Sequence, residues 1–304
     1  MNDTKIDWCD MSWNPVTGCL HGCPYCYARK IAHRYGTPYS GTDLHEITGK
    51  VRSYSDAVHS GPYPFEFAPT FHRYRLGEPA LRTKPRNIFV CSMADLFGAW
   101  VPDEWIREVF DACGNAPQHR YIFLTKNPAG IDNAIDYYSC EDRGCEESVE
   151  FFKDFWFGTT VTCQGDMSRA EYLSKLPEGH RFLSIEPNLG PVTLNLEKER
   201  CPICGSYEVY RDNPRTCQGA KPWYCDNCGE WESADGADLK PGIEWVIIGA
   251  ESGNRKEKVI PQRSWIESIV SDCQSEGVPV FMKSSLTEIW GDQLIQEFPW
   301  EAEP

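Results

Sequence analysis

The sequence predicts an α/β protein in which about six strand–helix units form an incomplete, TIM-like (β/α)6 barrel. Short apolar strands alternate with helical patterns along the chain, which is typical of a parallel sheet with crossover helices. Polar residues follow the predicted strands, at the end where parallel barrels collect their chemistry. With 304 residues, of which 41% are hydrophobic, the chain is long enough for such a domain and an insertion.

The repeating units are defined by apolar strands and by helices with apolar residues at helical spacing. The predicted strands span residues 13–18, 87–92, 121–126, 155–162, 181–186 and 245–249, with a closing strand at 279–283. The predicted helices span residues 27–35, 101–113, 131–138, 168–176 and 264–276. The second of these helices opens with Pro102 and two acids, as helix N-termini often do.

Two segments interrupt the repeating pattern. Residues 36–86 are rich in Gly, Pro and Tyr, and a loop of this length inside a domain is usually functional, so we interpret it as a lid-like insertion. Residues 197–240 form a cysteine-rich insertion. The predicted organisation is therefore a first barrel part over residues 1–196, this insertion, and a barrel completion with a C-terminal segment over 241–304.

The loop between the first predicted strand and helix carries Cys19, Cys23 and Cys26 at Cys-x3-Cys-x2-Cys spacing. Three thiolates on one short loop can hold three irons of a cubane [4Fe–4S] cluster and leave the fourth iron without a protein ligand. A zinc site would need a fourth ligand, and His21 lies inside the turn, where it is poorly placed to supply one. A structural metal knuckle or a set of buried thiols is the alternative interpretation.

This cysteine spacing resembles the signature of the radical SAM superfamily. The resemblance implies that the open iron binds S-adenosylmethionine (SAM), whose cleavage releases a 5′-deoxyadenosyl radical, and that Tyr25 lies near the adenine. The phrase over residues 18–27 is similar to spore photoproduct lyase, a DNA-repair member of the superfamily. Most of the chain resembles a phage-associated three-cysteine radical SAM family without a defined reaction, on the segments 13–19, 92–97, 182–187 and 249–253.

The same resemblance implies a SAM pocket at the strand ends. The chain lacks the Gly-Gly-Glu-type motif that many radical SAM proteins carry after the second strand, and has Cys-Ser-Met-Ala-Asp over residues 91–95 instead. Similarity to the lyase implies that Ser92, Lys126 and Thr160 contact SAM. Glu186 and Glu251 are candidates for its ribose, its amino group or the substrate. The full predicted cofactor-binding set is Tyr25, Ser92, Asp95, Lys126, Thr160, Glu186 and Glu251; a strand-end cap or an ion pair is the alternative for each.

Three residues are candidate catalytic residues: Cys91, Tyr25 and Tyr27. In spore photoproduct lyase a cysteine at about the place of Cys91 returns a hydrogen atom to the product radical, so the resemblance implies this role here. Cys163, after the fourth predicted strand, is a rival hydrogen donor. The alternative for Cys91 is a small buried side chain, which free cysteine usually is.

The insertion carries a second cysteine group, Cys201, Cys204, Cys225 and Cys228. Two Cys-x2-Cys knuckles at this separation predict a zinc-ribbon-like module with a closed, structural Zn²⁺ site. An auxiliary [4Fe–4S] cluster is the alternative metal interpretation. Nearby aromatic residues either pack the small module or stack on bases, and they are Trp223, Tyr224 and Trp231.

Net charge and cysteine usage limit the kinds of partner and the cellular compartment that we expect. The formal net charge is −15, so any contact with nucleic acid must come from a local basic patch. Two runs qualify, and a solvated basic surface is the alternative for both: Arg29, Lys30, His33 and Arg34, or His72, Arg73, Arg75, Arg82, Lys84 and Arg86. No long apolar run indicates a membrane span, and the N-terminus lacks a signal pattern. A reducing cytoplasm, in a bacterial or phage-infected cell, is expected.

We therefore predict a radical SAM enzyme of lyase or isomerase type, with a [4Fe–4S] cluster, SAM and zinc. Its substrate is a nucleic-acid base or nucleotide, in DNA base repair or in hypermodification of phage DNA, and an external flavodoxin- or ferredoxin-type donor supplies electrons. One alternative is a radical SAM enzyme that acts on a free metabolite or peptide. The other is a metal-dependent nucleic-acid-binding module without catalytic activity.

Overall fold

The computed structural model describes residues 1–49, 62–142, 150–174, 176, 178–196, 209–210, 224–225, 229–230, 242–253 and 255–301. The chain folds as two compact units. Unit 1 comprises Met1–Gly130 with Glu251–Lys258, and unit 2 comprises Ile131–Ala250 with Val259–Pro304. Most of the predicted insertion at 197–240 lies outside the described residues, so the domain boundaries at 196 and 241 stay a prediction.

Unit 1 contains seven strands and two complete helices among its described residues. In chain order these are β1 (Asn2–Asp3), β2 (Met11–Trp13), β3 (Val16–Thr17), α1 (Tyr27–Tyr35), β4 (His45–Ile47), β5 (Thr70–His72), β6 (Asn87–Val90), α2 (Asp103–Gly114) and β7 (Arg120–Thr125). The strands β2, β6 and β7 pair in parallel, and β1 adds to β2 in antiparallel orientation. The bounds predicted for the first helix are confirmed, and those of the second helix agree within two residues.

The core of unit 1 explains why these segments were recognisable. The apolar residues of β6 are buried from Ile88 to Val90, as expected for a parallel strand covered on both faces. The helix α2 buries its predicted apolar stripe, and Phe110 packs against the rings of Phe97 and Phe123. The two acids in the first turn of α2 face the positive end of the helix dipole.

The first strand differs from the prediction. A single strand over 13–18 was expected, but β2 ends at Trp13 and β3 joins a separate sheet of order β3-β5-β4. Pro15 has no backbone N–H for a sheet ladder. The Asn14 side chain accepts a hydrogen bond from the backbone N–H of Met93 (2.9 Å), and its carbonyl accepts one from Arg75 (2.8 Å). These bonds turn the chain after β2. The segment over 36–86, which was predicted to be an irregular insertion, is partly regular, because it contributes β4 and β5.

Unit 2 contributes four parallel strands of its own. Its described elements are α3 (Pro128–Asp142, starting at the last residues of unit 1), β8 (Phe155–Thr160), α4 (Met167–Leu173), β9 (His180–Ile185), β10 (Val209–Tyr210), β11 (Tyr224–Cys225), β12 (Gly229–Glu230), β13 (Trp245–Ile248), α5 (Arg263–Ser275), β14 (Val280–Met282) and α6 (Thr287–Trp290). The strands β8, β9, β13 and β14 are parallel and follow one another in the sheet. The predicted α/β class with mostly parallel strands is confirmed, whereas closure into a six-unit barrel stays a prediction.

At the start of the strands of unit 2, Glu244 lies in an ion-pair group. Its carboxylate accepts hydrogen bonds from the His180 ring (2.6 Å) and from the backbone N–H of Arg181 (3.2 Å). Burial acts to raise the pKa of Glu244, but the bond from His180 and the charge of Arg181 outweigh it and hold that pKa below its ordinary value. The group therefore contributes stability while the carboxylate is ionised.

The predicted zinc ligands are largely outside the described part of the chain. Cys201, Cys204 and Cys228 are not described, and Cys225 is described only as backbone of β11. The strands β10, β11 and β12 form a small antiparallel sheet. The zinc-ribbon module stays a prediction. None of the described helices is long and apolar enough to cross a membrane.

Candidate functional site

The three-cysteine loop, residues 18–26, begins at a glycine that no other residue can replace without movement. Gly18 has φ +86, which favours glycine, and an added Cβ would lie 2.2 Å from the carbonyl oxygen of Ala68. Its N–H donates to the carbonyl of Met93 (2.9 Å), and the N–H of Cys19 donates to that of Phe67 (3.1 Å). The loop is thereby attached to the segment that follows β6 and to the segment that precedes β5.

The cysteines of this loop are free and half-buried. Cys26 is the N-cap of α1, and its sulfur accepts a hydrogen bond from the backbone N–H of Arg29 (3.3 Å). Burial, with smaller contributions from the charges of Asp95 and the other two thiols, raises the pKa of Cys19 to about 12. The metal-free thiol of Cys19 is therefore protonated at neutral pH, and any metal that it binds must displace that proton.

Asp95 connects this loop to the end of β7. One carboxylate oxygen accepts hydrogen bonds from the His21 ring (2.6 Å) and the backbone N–H of Lys126 (2.9 Å). The other accepts from the Thr125 hydroxyl (2.6 Å) and the backbone N–H of Phe97 (3.2 Å). A carboxylate has about four lone-pair positions, so these four bonds saturate it. Asp95 was predicted to bind the cofactor, but this structure leaves it no acceptor for that purpose and makes it a brace for the loop.

His21 was predicted only to be a poor metal ligand, and its bond to Asp95 was not predicted. Besides its bond to Asp95, its ring lies edge-on to Trp100 with 4.9 Å between ring centroids. The position of a histidine between two cysteines of the motif was the signal that could have identified it. The brace group is defined as Asp95, His21 and Thr125.

Four of the predicted site residues meet in two pairs beside the loop. The Lys126 ammonium donates to the Tyr25 hydroxyl (2.5 Å) and lies 4.8 Å from the centroid of that ring. The Tyr27 hydroxyl donates to the carbonyl of Ser92 (2.7 Å), and the Ser92 hydroxyl donates to the Asn14 side chain (3.2 Å). Tyr25, Tyr27, Ser92 and Lys126 therefore lie within or beside the loop in unit 1, and their catalytic and cofactor-binding roles stay predictions.

Glu251 and Cys91 are also in unit 1, but both are buried. Both carboxylate oxygens of Glu251 accept hydrogen bonds from the Arg255 guanidinium, each at 2.7 Å. Cys91 is 3% exposed and has φ +58, an unusual backbone conformation for a residue with a side chain. Burial raises the pKa of Cys91 to about 12, so it is a neutral thiol. This environment fits the alternative of a small buried side chain better than an accessible hydrogen donor.

The remaining predicted site residues are in unit 2. Thr160 is buried at the end of β8, and its carbonyl accepts a hydrogen bond from Arg169 (2.9 Å). Glu186 forms an ion pair with Lys283. Cys163 is half-buried, unlike Cys91. Asn188 was not predicted as a site residue; it is fully buried, and its side-chain nitrogen and oxygen have no hydrogen-bond partner among the described residues.

The two predicted basic runs differ in exposure and in ion pairing. In the second run His72 is buried, and burial lowers its pKa to about 3. Arg73 is paired with Glu46 and Glu108, so this run does not form a continuous basic face. The residues of this run that remain exposed are Arg82, Lys84 and Arg86. The first run lies on α1, where all its members are exposed.

Within the described ranges, no group of three or more His, Cys, Asp or Glu side chains is arranged to hold a single metal ion. A cubane cluster differs from such a site, because each of its cysteines binds a different iron. Soft thiolates are the ligands that iron–sulfur clusters use.

Comparisons with known proteins give a family and two solved structures. No curated protein matches the sequence. A spore photoproduct lyase mutant aligns at a TM-score of 0.37, and a second mutant of that lyase, with bound AdoMet and dinucleoside spore photoproduct, aligns at 0.38. Both share 11% identity over 61% of this chain, which spans about half (48%) of the lyase. Residues 3–296 match the family described as "Protein of unknown function (DUF5131)", and the chain belongs to that family.

Proposed function

We propose that this protein is a radical SAM enzyme in which Cys19, Cys23 and Cys26 hold a [4Fe–4S] cluster. The observation that carries the proposal is the loop itself: three free, half-buried thiols between Gly18 and the N-cap of α1. The donor set fits the cluster, since three thiolates satisfy three irons. When bound, such a cluster supplies the electron for cleavage of SAM to a 5′-deoxyadenosyl radical.

The residues around the loop have the chemistry to bind and orient SAM. Lys126 provides an ammonium group for the SAM carboxylate, and Tyr25 provides an aromatic surface for its adenine. The hydroxyl of Ser92 is a further donor or acceptor at the same rim. The hydrogen bonds of the brace group attach the loop to the end of β7, so that these side chains and the cysteines hold their relative positions.

We propose a nucleic-acid base or nucleotide as the substrate, in base repair or base hypermodification, with an external flavodoxin- or ferredoxin-type electron donor. The motif that resembles the lyase supports this choice, as does the exposed basic run on α1. Cys163 is the more accessible of the two candidate hydrogen donors, because Cys91 is buried. The cysteine-rich insertion, with zinc bound by Cys201, Cys204, Cys225 and Cys228, is proposed as a substrate or partner module.

Anaerobic reconstitution tests the proposal. The wild type is expected to take up about four irons and four sulfides per chain and, on reduction with SAM, to release 5′-deoxyadenosine. Replacing Cys19, Cys23 or Cys26 by Ala should abolish both. The matched control is Cys9→Ala, a half-buried cysteine of the same unit outside the loop, which should retain both. Zinc as the only metal bound by the wild type would contradict the proposal and favour the non-catalytic binding module.

A second experiment tests the substrate class. The loaded enzyme is reduced with SAM in the presence of DNA that contains deuterated thymine, and 5′-deoxyadenosine is examined for deuterium by mass spectrometry. Deuterium transfer is the expected result. Release of unlabelled 5′-deoxyadenosine with this DNA, and with DNA deuterated in each of the other bases, would instead favour a free metabolite or peptide as substrate.

A further inference from the structure

The helix α1 is bound to unit 1 by a very small face. Only Ala28 and Ala32 are buried among its nine residues, and they pack with Phe67 and Met93. Tyr27, Ile31 and Tyr35 are 43%, 36% and 59% exposed. A helix whose large side chains are exposed while its alanines pack inward has an outer face suited to a partner.

The exposed side chains of α1 form one continuous surface. Tyr27, Ile31 and Tyr35 recur every four residues, which places them on the same face of a helix. Lys30 and Arg34 lie three residues after Tyr27 and Ile31, so they flank this face. The α1 surface is defined as these five residues: Tyr27, Lys30, Ile31, Arg34 and Tyr35. Because Tyr27 and Tyr35 are eight residues apart, they are separated by about 12 Å along the helix axis.

The basic residues of the helix divide into two groups. Arg29 lies over the Phe67 ring and donates to the carbonyl of Cys19, and His33 is paired with Glu66. Lys30 and Arg34 are exposed, and neither has a carboxylate partner in the part of the chain that the structure describes; the Arg34 guanidinium lies over the Tyr35 ring, 5.2 Å from its centroid. These two cations are therefore available for an anionic partner.

The charge of the chain is divided unequally between the units. Unit 1 has 17 Lys and Arg against 15 Asp and Glu, a net charge of +2, whereas unit 2 has 13 against 30, a net charge of −17. The helix α1 itself has three Lys and Arg and no acidic residue. An anionic partner of this acidic protein is thus directed to unit 1, and there to the α1 surface.

We propose that the α1 surface binds single-stranded nucleic acid, with bases stacked on the exposed tyrosines and phosphates paired with Lys30 and Arg34. Aromatic rings interleaved with cations are the features that bind single strands without sequence preference. In a duplex the base faces are stacked on one another inside the helix, so they are not accessible for stacking on the tyrosine rings. Because Cys26 caps the same helix, the bound strand lies at the three-cysteine loop. That it delivers a substrate base there rests on the proposed function, whereas the binding itself does not.

Fluorescence anisotropy with a short labelled oligothymidylate tests the surface on the full-length protein at several salt concentrations. The variant K30E/R34E is compared with K84E/R86E, which changes the formal charge equally at the exposed end of the other basic run. Loss of two phosphate contacts should lower the slope of log affinity against log salt by about 1.4. Affinity at low salt should fall about tenfold or more for K30E/R34E, while K84E/R86E stays within about twofold of the wild type.

Stacking is tested separately on Tyr35. Tyr35→Ala should weaken binding about fivefold or more, and Tyr35→Phe should retain it, because only the ring is needed. Unlabelled duplex of the same length should compete poorly. Circular dichroism melting is used to verify that each variant is folded.

Several outcomes would overturn the proposal. They are the absence of oligothymidylate binding by the wild type, equal binding by K30E/R34E, or a loss confined to K84E/R86E. Binding of an acidic flavodoxin-type protein at the α1 surface, with no binding of the oligonucleotide, would assign the surface to a protein partner. SAM cleavage without oligonucleotide binding would contradict this inference and leave the proposed function intact. Oligonucleotide binding without iron uptake would contradict the proposed function and leave this inference intact.

Discussion

Replacing Asp95 by Asn tests whether this residue braces the three-cysteine loop. The side chain keeps its shape, but one acceptor oxygen becomes an NH2 donor. All four present partners of Asp95 are arranged to donate to it: the His21 ring, the Thr125 hydroxyl and two backbone N–H groups. In the Asn variant, the NH2 group therefore faces two hydrogen-bond donors, whichever way the amide is turned.

In one orientation of the amide, the NH2 group replaces the oxygen that faces Thr125. The Thr125 hydroxyl can rotate to accept, and only the backbone N–H of Phe97 is left without a partner. An unsatisfied buried donor costs about 1–3 kcal/mol, and Asp95 is 5% exposed, so the full range applies. We expect the free energy of unfolding to fall by about 2 kcal/mol, and iron uptake to fall with it, because the loop loses its attachment to β7.

Urea denaturation of the metal-free protein and the iron content after reconstitution measure the two effects. The matched control is Asp166→Asn in unit 2, whose carboxylate accepts from the backbone N–H and the hydroxyl of Thr162. This control should lose stability while retaining iron. The reasoning is refuted if Asp95→Asn unfolds at the wild-type urea concentration, or if both variants lose iron equally.

Three further predictions concern the backbone, a buried ion pair and pH. Gly18→Ala should prevent iron uptake, because the added Cβ meets backbone at 2.2 Å, whereas Gly22→Ala, with φ +70 and open space, should lower stability by only about 1 kcal/mol; iron content and denaturation distinguish them. Arg255→Met leaves the buried carboxylate of Glu251 uncompensated and should lower the melting temperature more than a Glu251→Gln, Arg255→Met double variant does. Because the pKa of Glu244 is below its ordinary value of 4.5 in the folded protein, its contribution is present above that pH and is lost as pH falls through the folded value; Glu244→Gln should therefore show a flatter stability profile in acid-range melting experiments.

The regular elements could be predicted because their sequence signal is local. Strands such as β13 are buried along their whole length and appear as unbroken apolar runs, and α2 shows both its apolar stripe and its acidic first turn. The break between β2 and β3 was not predicted. It depends on hydrogen bonds from residues more than 60 positions away, one from Arg75 to the carbonyl of Asn14 and one from Met93 to its side chain.

The candidate site, like the fold, could be predicted from the sequence only where the signal is local. The cysteines are adjacent in sequence, so their spacing identified the loop. Asp95 and Glu251 were recognisable only as acids after strands, and a sequence does not show whether such a carboxylate is open to a ligand or already saturated. Asp95 uses all its acceptors on partners in three different segments, and Glu251 uses both its oxygens on Arg255. Their surroundings depend on the tertiary fold.

The unequal charge of the two units has a consequence for the protein in solution. A near-neutral unit with an exposed cationic helix and a strongly anionic unit attract one another between separate molecules. At low ionic strength we expect transient clusters, which dissolve as added salt shortens the Debye length. Light-scattering measurements would then show attraction between molecules that their large net charge alone would keep apart.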